Sequence, residues 1–202
     1  DRNAARGFRA VLIYPQVAGQ FLSDRPESRP LFARIAEAGL PIFMHGGGGT
    51  RGATPDMAHL EDEGMGVAAS IYADAAVTES CMRLIAAGTF DRHPNLRIVV
   101  RSSGGGLPLL LKKMSWLHKG ESQNKKYSEM FLEHFRIDCA SASPRALAFF
   151  IDQMGEQSVV FGSDYCGGLG PLSRGMQVIN EQSTPDRYRD ILNRNSRELL
   201  HI

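Results

Sequence analysis

"RIVVRSSGGGLP", Arg97 to Pro108, decides the reading of this chain. An apolar run of strand character enters a glycine-rich turn, and a helix-forming segment follows. An α/β enzyme places its reactive side chains where a strand ends in this way. The residues at that point are Arg101, Ser102 and Ser103, and none is an obvious acid or base at neutral pH.

The same alternation extends outward from this stretch. On its amino-terminal side, Arg9–Pro15 and Leu40–His45 read as strands. Ser28–Gly39 reads as a helix with Leu31, Ile35 and Ala38 on one face and Gly39 where a C-terminal cap belongs. After His45 comes a loop of about twenty residues, too long for a plain connector. A long helix fits Met65–Gly88. On the carboxyl-terminal side, "LPLLLKKMSWLHKG" reads as helix and His134–Ala140 as strand. Ser143–Gly155 reads as a helix with Ser143 as N-cap and Pro144 in the first position. Ser158–Tyr165 reads as a strand, and the chain closes in helix. The strands are continuous apolar runs, which argues for a parallel sheet covered by helices. The fold class is therefore α/β, either an open doubly wound sheet or a (β/α) barrel. In both, the strand ends face the ligand. Those ends carry Tyr14, His45, Arg101 with Ser102, Asp138 with Cys139, and Ser163 with Asp164.

Bulk properties bound the function. The 202 residues suffice for one sizeable core, and we treat residues 1–202 as a single domain. Apolar residues make up 43% and charged residues 22%, ordinary for a globular protein. A formal net charge of +1 gives no reason to expect nucleic acid or an anionic membrane as partner. No run reaches the ~18 apolar residues of a membrane span, and no signal peptide is evident. Cys81, Cys139 and Cys166 are odd in number and lie outside any CxxC pattern, so reduced thiols in a cytoplasmic protein are expected.

The order of the pieces resembles the amidohydrolase-related family that includes aminocarboxymuconate-semialdehyde decarboxylase and hydroxybenzoate-type decarboxylases. The matching stretches are "GFRAVLIYP", "PLFARIAEAGLPIFMHGG", "LIAAGTFDRHPNLRIVV", "GGGLP", "VVFGSDY" and "ILNRNSRELL". Each is soft alone, but six in order are a fairly specific signal. The resemblance implies a TIM-type (β/α)8 barrel of the metal-dependent hydrolases. This chain would run from about the fourth barrel strand to the eighth, with the N-terminal strands absent. It implies that His45 and Asp164 bind a divalent metal, and their chemistry suits zinc. Asp164 would also handle protons. The expected activity is a metal-dependent decarboxylase or hydrolase acting on a small carboxylated aromatic or unsaturated substrate, with Asp164, Ser102 and Arg101 catalytic and Arg101, Ser102 and Tyr14 binding substrate.

Two departures support a second reading. In the family an "AHxGG" histidine serves as general acid/base, and here Ser102 takes its place. Losing a positioned base costs roughly 10²–10⁴-fold in rate. The HxH or ExH ligand pair of the family's first strand has no counterpart in this chain. The alternative is thus a metal-independent lyase or cyclase, or a non-catalytic relative. Five strands also cannot close an eight-stranded barrel, and an open edge exposes unpaired backbone groups. Further residues, a second chain or a dimer would have to cover it, so a homo-oligomer is expected. Several residues take plain structural readings. His59, Glu61, Asp62 and Glu63 read as loop surface, His93 as structural, and His118, His134 and His201 as peripheral. Trp116 reads as buried in core or interface, Cys166 as unreactive, and the 104–106 glycines as tight packing.

Overall fold

A computed structural model describes residues 2–17, 20–46, 71–117, 125–165, 172–180 and 188–202. Five short strands form one parallel sheet: β1 (Val11–Ile13), β4 (Ile42–Met44), β5 (Ile98–Val100), β6 (Phe135–Asp138) and β7 (Val159–Val160). A small antiparallel ladder, β2 (Gln16–Val17) with β3 (Gln20–Phe21), lies beyond β1 and was not foreseen from the sequence. The helices are α1 (Arg2–Ala5), α2 (Arg29–Glu37), α3 (Ala73–Ala86), α4 (Thr89–Arg92), α5 (Leu107–Met114), α6 (Tyr127–His134), α7 (Pro144–Met154), α8 (Leu172–Asn180) and α9 (Asn195–Leu200).

The sheet order is β1-β4-β5-β6-β7, so spatial order follows chain order. Every crossover therefore steps in one direction. A doubly wound sheet reverses direction once, at its switch point. This sheet does not reverse and instead forms the arc of a barrel. One face carries Ile13, Ile42, Met44, Ile98, Val100, Phe135, Ile137 and Val159. They pack with Phe32, Ile35, Val77, Leu84, Ile85, Phe131 and Leu147 of the helices into one core. Each such burial contributes about 1.5–3 kcal/mol. The opposite face belongs to the alternate residues. There Leu12, on the edge strand β1, is 56% exposed, whereas Val99, in the middle of the sheet, is 2% exposed.

Local signals hold where the chemistry is local. Ser143 Oγ accepts the Ala146 N–H at 3.2 Å, and Pro144 opens α7. Gly39 follows α2 at φ 64°. Several expectations need correction. Phe32, not Leu31, lies with Ile35 on the buried side of α2, and Leu31 is exposed. Helix α6 was not anticipated. Its buried residues Tyr127, Met130, Phe131 and His134 have helical spacing, but the surrounding residues are strongly polar. His134 is not peripheral. It is buried, its ring stacks on Phe90 at 4.4 Å, and its Nδ1 lies 3.1 Å from the Leu96 carbonyl oxygen. Arg97 Nη1 lies 3.3 Å from the same nitrogen. Trp116 is 68% exposed, which rules out core burial. Residues 47–70, which hold His59, Glu61, Asp62, Glu63 and the first part of the expected long helix, lie outside the described residues, as do His118 and Cys166. Cys81 and Cys139 are free and buried. No helix among the described residues is long and apolar enough to cross a membrane.

Candidate active site at the carboxyl ends of the strands

Register places the candidate residues in one row. Ile13, Met44, Val100 and Ile137 are paired in sequence across the sheet. The next residue on each strand is Tyr14, His45, Arg101 and Asp138. Because side chains alternate, these four share the face opposite the helices. Neighbouring strands are about 4.8 Å apart, so Arg101 stands between His45 and Asp138. Asp164 follows β7 at the same end of the sheet.

The Tyr14 and His45 rings meet edge to face at 5.9 Å. The His45 backbone N–H donates to the Ile13 carbonyl at 3.0 Å. His45 Nδ1 is buried and has no hydrogen-bond partner among the described residues. An orphaned ring nitrogen is costly unless a ligand takes its lone pair or its hydrogen. Arg101 spreads its guanidinium over three neighbours. Nε donates to Ser102 Oγ at 2.7 Å, Nη1 donates to the Gly46 carbonyl at 3.2 Å, and Nη2 lies 4.0 Å from Asp74 Oδ1. The Asp138 carboxylate does not take Arg101 as its hydrogen-bond donor. Its Oδ1 accepts the backbone N–H groups of Ser103 at 3.1 Å and Ala140 at 3.2 Å. Burial pushes the Asp138 carboxyl above the usual range. The charge of Asp164 adds to that push, while the two N–H donors and Arg101 oppose it.

The backbone here is strained. Ser102 sits at φ 52° and Ser103 at φ 58°, and Asp164 at φ 50°. Non-glycine residues avoid this left-handed region, at a cost of order 1–3 kcal/mol each when held in a sparsely populated conformation, and such strain gathers at functional sites. Two glycines bring α3 against the strand ends. A Cβ on Gly46 would stand 2.9 Å from the Ala73 carbonyl oxygen. One on Gly105, at φ 57°, would stand 2.8 Å from Thr78 Oγ1 and 2.9 Å from the Asp74 carbonyl oxygen. Tight packing therefore accounts for the glycine run. It also delivers Asp74, in the first turn of α3, to the Arg101–Ser102 pair. Burial raises the Asp74 carboxyl above its ordinary value, against the pull of Arg101 and a hydrogen bond with the Ser102 side chain.

The five expected site residues, Tyr14, His45, Arg101, Ser102 and Asp164, thus lie at one end of the sheet. Asp74 was missed, because a carboxylate inside a helix read for its apolar face gives no signal in a single sequence. Asp138 stood among the strand ends but received no role. No group of three His, Cys, Asp or Glu residues among the described residues could hold a metal ion, so His45 and Asp164 supply only part of any ligand set. A cavity of about 730 Å³ opens elsewhere, at the amino ends of the strands beside Pro41, Arg97 and Arg136. Arg97 and Arg136 there donate to backbone carbonyls.

The amidohydrolase family model (Amidohydro_2) matches residues 1–202. The chain is similar to gamma-resorcylate decarboxylase of Rhizobium sp. (strain MTP-10005), 25% identical over 150 residues, which are 70% of this chain and 45% of that protein. It is also similar to 2-amino-3-carboxymuconate-6-semialdehyde decarboxylase of Dictyostelium discoideum, 24% identical over 205 residues, 97% of this chain and 54% of that one. Among solved structures, 5-carboxyvanillate decarboxylase from Novosphingobium aromaticivorans, complexed with manganese and 4-hydroxy-3-methoxy-5-nitrobenzoic acid, superposes with a TM-score of 0.79 at 20% identity. The match covers 100% of this chain and 60% of that one. The chain therefore spans about half the length of the curated relatives it matches. Its five-stranded arc is part of a TIM-type (β/α)8 barrel. By its sequence over all 202 residues and by its fold, the chain belongs to the amidohydrolase family.

Proposed function

We propose that the protein is a decarboxylase acting on a small carboxylated aromatic acid at the carboxyl end of its barrel. The observation that carries this reading is the row of Tyr14, His45 and Arg101 on the face opposite the helices, with Asp164 at the same end. Arg101 clamps the substrate carboxylate, because a guanidinium is a permanent cation with several donors. Tyr14 offers its ring edge, and Ser102 orients the substrate by a hydrogen bond. Asp164 delivers a proton to the ring carbon that bears the carboxylate. The C–C bond then breaks, its electron pair returns to the ring, and carbon dioxide leaves.

The orphaned His45 Nδ1 and the carboxylate of Asp164, at the same end of the sheet, have the chemistry of two ligands to a divalent metal. Such an ion, when bound, polarises a substrate oxygen. Zinc suits imidazole with carboxylate, and the solved N. aromaticivorans relative carries manganese. The test uses the full-length protein. Carbon dioxide release from gamma-resorcylate, with stoichiometric metal that is lost in His45→Ala, is the expected result. A protein that releases none from this or related hydroxybenzoates overturns the reading.

One observation favours a second reading, a metal-free lyase or a non-catalytic relative. Arg101 places a fixed positive charge beside His45, where it repels a second cation. Metal-free protein with activity unchanged in His45→Ala would establish that reading. We also propose a single domain, a cytoplasmic setting for its cysteines, and a homo-oligomer that covers open strand edges. Light scattering on the full-length protein tests the last.

A further inference from the structure

We propose that Asp138 is the positioning residue of this mouth. Its carboxylate holds the strained Ser102–Ser103 turn beside Arg101, and its side chain seats the segment that leads to Asp164. The inference rests on the decarboxylase reading and deepens it.

Asp138 ends the strand that lies between the two segments. β6 is paired with β5 on one side and with β7 on the other. The turn after β5 bears Arg101 and Ser102, and the segment after β7 bears Asp164. On the β5 side the tie is a hydrogen bond: Asp138 Oδ1 accepts the Ser103 N–H at 3.1 Å. The same oxygen accepts the Ala140 N–H at 3.2 Å, which fixes the carboxylate against its own strand end. Two more contacts join these turns. Ser103 Oγ lies 3.3 Å from Ser141 Oγ, and a Cβ on Gly104 would stand 2.6 Å from Ile137 Cγ2. On the β7 side the tie is close packing. A Cβ on Gly162 would stand 2.8 Å from Asp138 Cβ and 3.2 Å from Oδ2, so a glycine lets the backbone pass directly against this side chain. The Cys139 thiol donates to the Gly162 carbonyl at 3.7 Å and closes the same gap.

Strain explains why a clamp is needed. Ser102 and Ser103 sit in succession in the left-handed region, at φ 52° and 58°, and Gly104 follows at φ 80°. Consecutive residues in that conformation persist only where the surroundings over-determine them. The N–H that Asp138 holds belongs to the peptide joining the two serines. Without its acceptor that group is left unsatisfied, and the turn is free to relax. Any rotation there moves Ser102 Oγ, and with it the Arg101 guanidinium that donates to it at 2.7 Å. A carboxylate oxygen suits the task because it has lone pairs for two donors at once. Asp138 moves no proton; that role stays with Asp164.

The experiment uses full-length wild type, Asp138→Ala, Asp138→Asn and Gly162→Ala. Misplacing the turn should lower kcat/KM for gamma-resorcylate about 100-fold in Asp138→Ala, with KM raised as Arg101 loses its aim. Asp138→Asn should regain about tenfold of that loss, because an amide oxygen accepts the same N–H groups without the carboxylate's charge. In an Arg101→Ala background the cost of Asp138→Ala should shrink at least about fivefold, whereas a merely structural side chain costs the same in both. Gly162→Ala, which crowds Asp138 from the Asp164 side, should lower kcat with KM little changed. Amide hydrogen exchange at Ser103, followed by NMR, reads the clamp without turnover. It should be slow in wild type and Asp138→Asn, and at least about tenfold faster in Asp138→Ala. Ser103 exchange indifferent to Asp138→Ala, no recovery in Asp138→Asn, equal costs in the two backgrounds, or an unchanged kcat in Gly162→Ala each overturns the inference. Where Asp138→Ala does not fold, Asp138→Asn and Gly162→Ala decide it: Asp138→Asn should retain turnover and slow Ser103 exchange, and its loss of either overturns the clamp. Should wild type release no carbon dioxide from any hydroxybenzoate, the decarboxylase reading falls, and the exchange at Ser103 still decides the clamp.

Discussion

At the scale of single residues, Arg101 is the group on which the proposed substrate binding turns. It donates to Gly46 and Ser102 and faces Asp74, so three elements fix its plane. Hydrogen bonds to charged groups contribute about 1.5–3 kcal/mol. Arg101→Ala should therefore raise KM for a carboxylated aromatic roughly 10- to 150-fold, in steady-state kinetics on the full-length protein, and an unchanged KM would remove Arg101 from the binding site. Lysine should not rescue it, because an ammonium cannot spread donors over three directions. The identity of these residues was legible in the sequence because strand ends could be located. Their partners were not. Asp138, one strand over, does not pair with Arg101 by hydrogen bond; its Oδ1 takes backbone N–H groups. The partner that approaches Arg101 is Asp74, from a helix packed through Gly46 and Gly105. Contacts that depend on two close approaches between distant segments leave no local pattern.

At the scale of elements, the turn after β5 is the most demanding piece of backbone. Gly105 combines φ 57° with two atoms inside 3 Å of any Cβ. Strain and overpacking add, so Gly105→Ala should cost about 2–4 kcal/mol, read as a drop in urea midpoint at constant m-value. Ser143→Ala, which removes the α7 cap, should cost about 1 kcal/mol in the same assay. Helix α6 supplies a pH effect. Burial pushes the His134 imidazole below its ordinary value of 6.5, against the Leu96 hydrogen bond and the Glu133 charge. The unfolded chain thus takes up the proton first. His134 favours the fold fully above pH 6.5 and progressively less as pH falls towards and through its lowered folded value. The urea midpoint should fall between pH 7 and pH 5, and His134→Phe should flatten that slope. These caps and turns explain why α2 and α7 could be read from sequence: Gly39, Ser143 and Pro144 act within one turn of themselves. Helix α6 escaped because its apolar positions are interrupted by Ser128, Glu129 and Glu133. The strands were expected too long at both ends, since apolar character continues past the last ladder hydrogen bond. In Phe161–Tyr165 the backbone leaves the sheet to set Asp164 at φ 50°.

At the scale of the whole molecule, five parallel strands in chain order make an arc with two unclosed edges among the described residues. That direction of winding separates a barrel from a doubly wound sheet, a choice the sequence pattern left open and the family resemblance anticipated. It also gathers imidazole, guanidinium and carboxylate at one end, while the other end carries arginines tied to backbone carbonyls. The most direct test of the account is the rate of carbon dioxide release from gamma-resorcylate by full-length wild type and His45→Ala at equal Tm. A fall of at least about 100-fold in kcat/KM is predicted for the variant. Equal rates, with His45 gone, would contradict the placement of the active site at the strand ends.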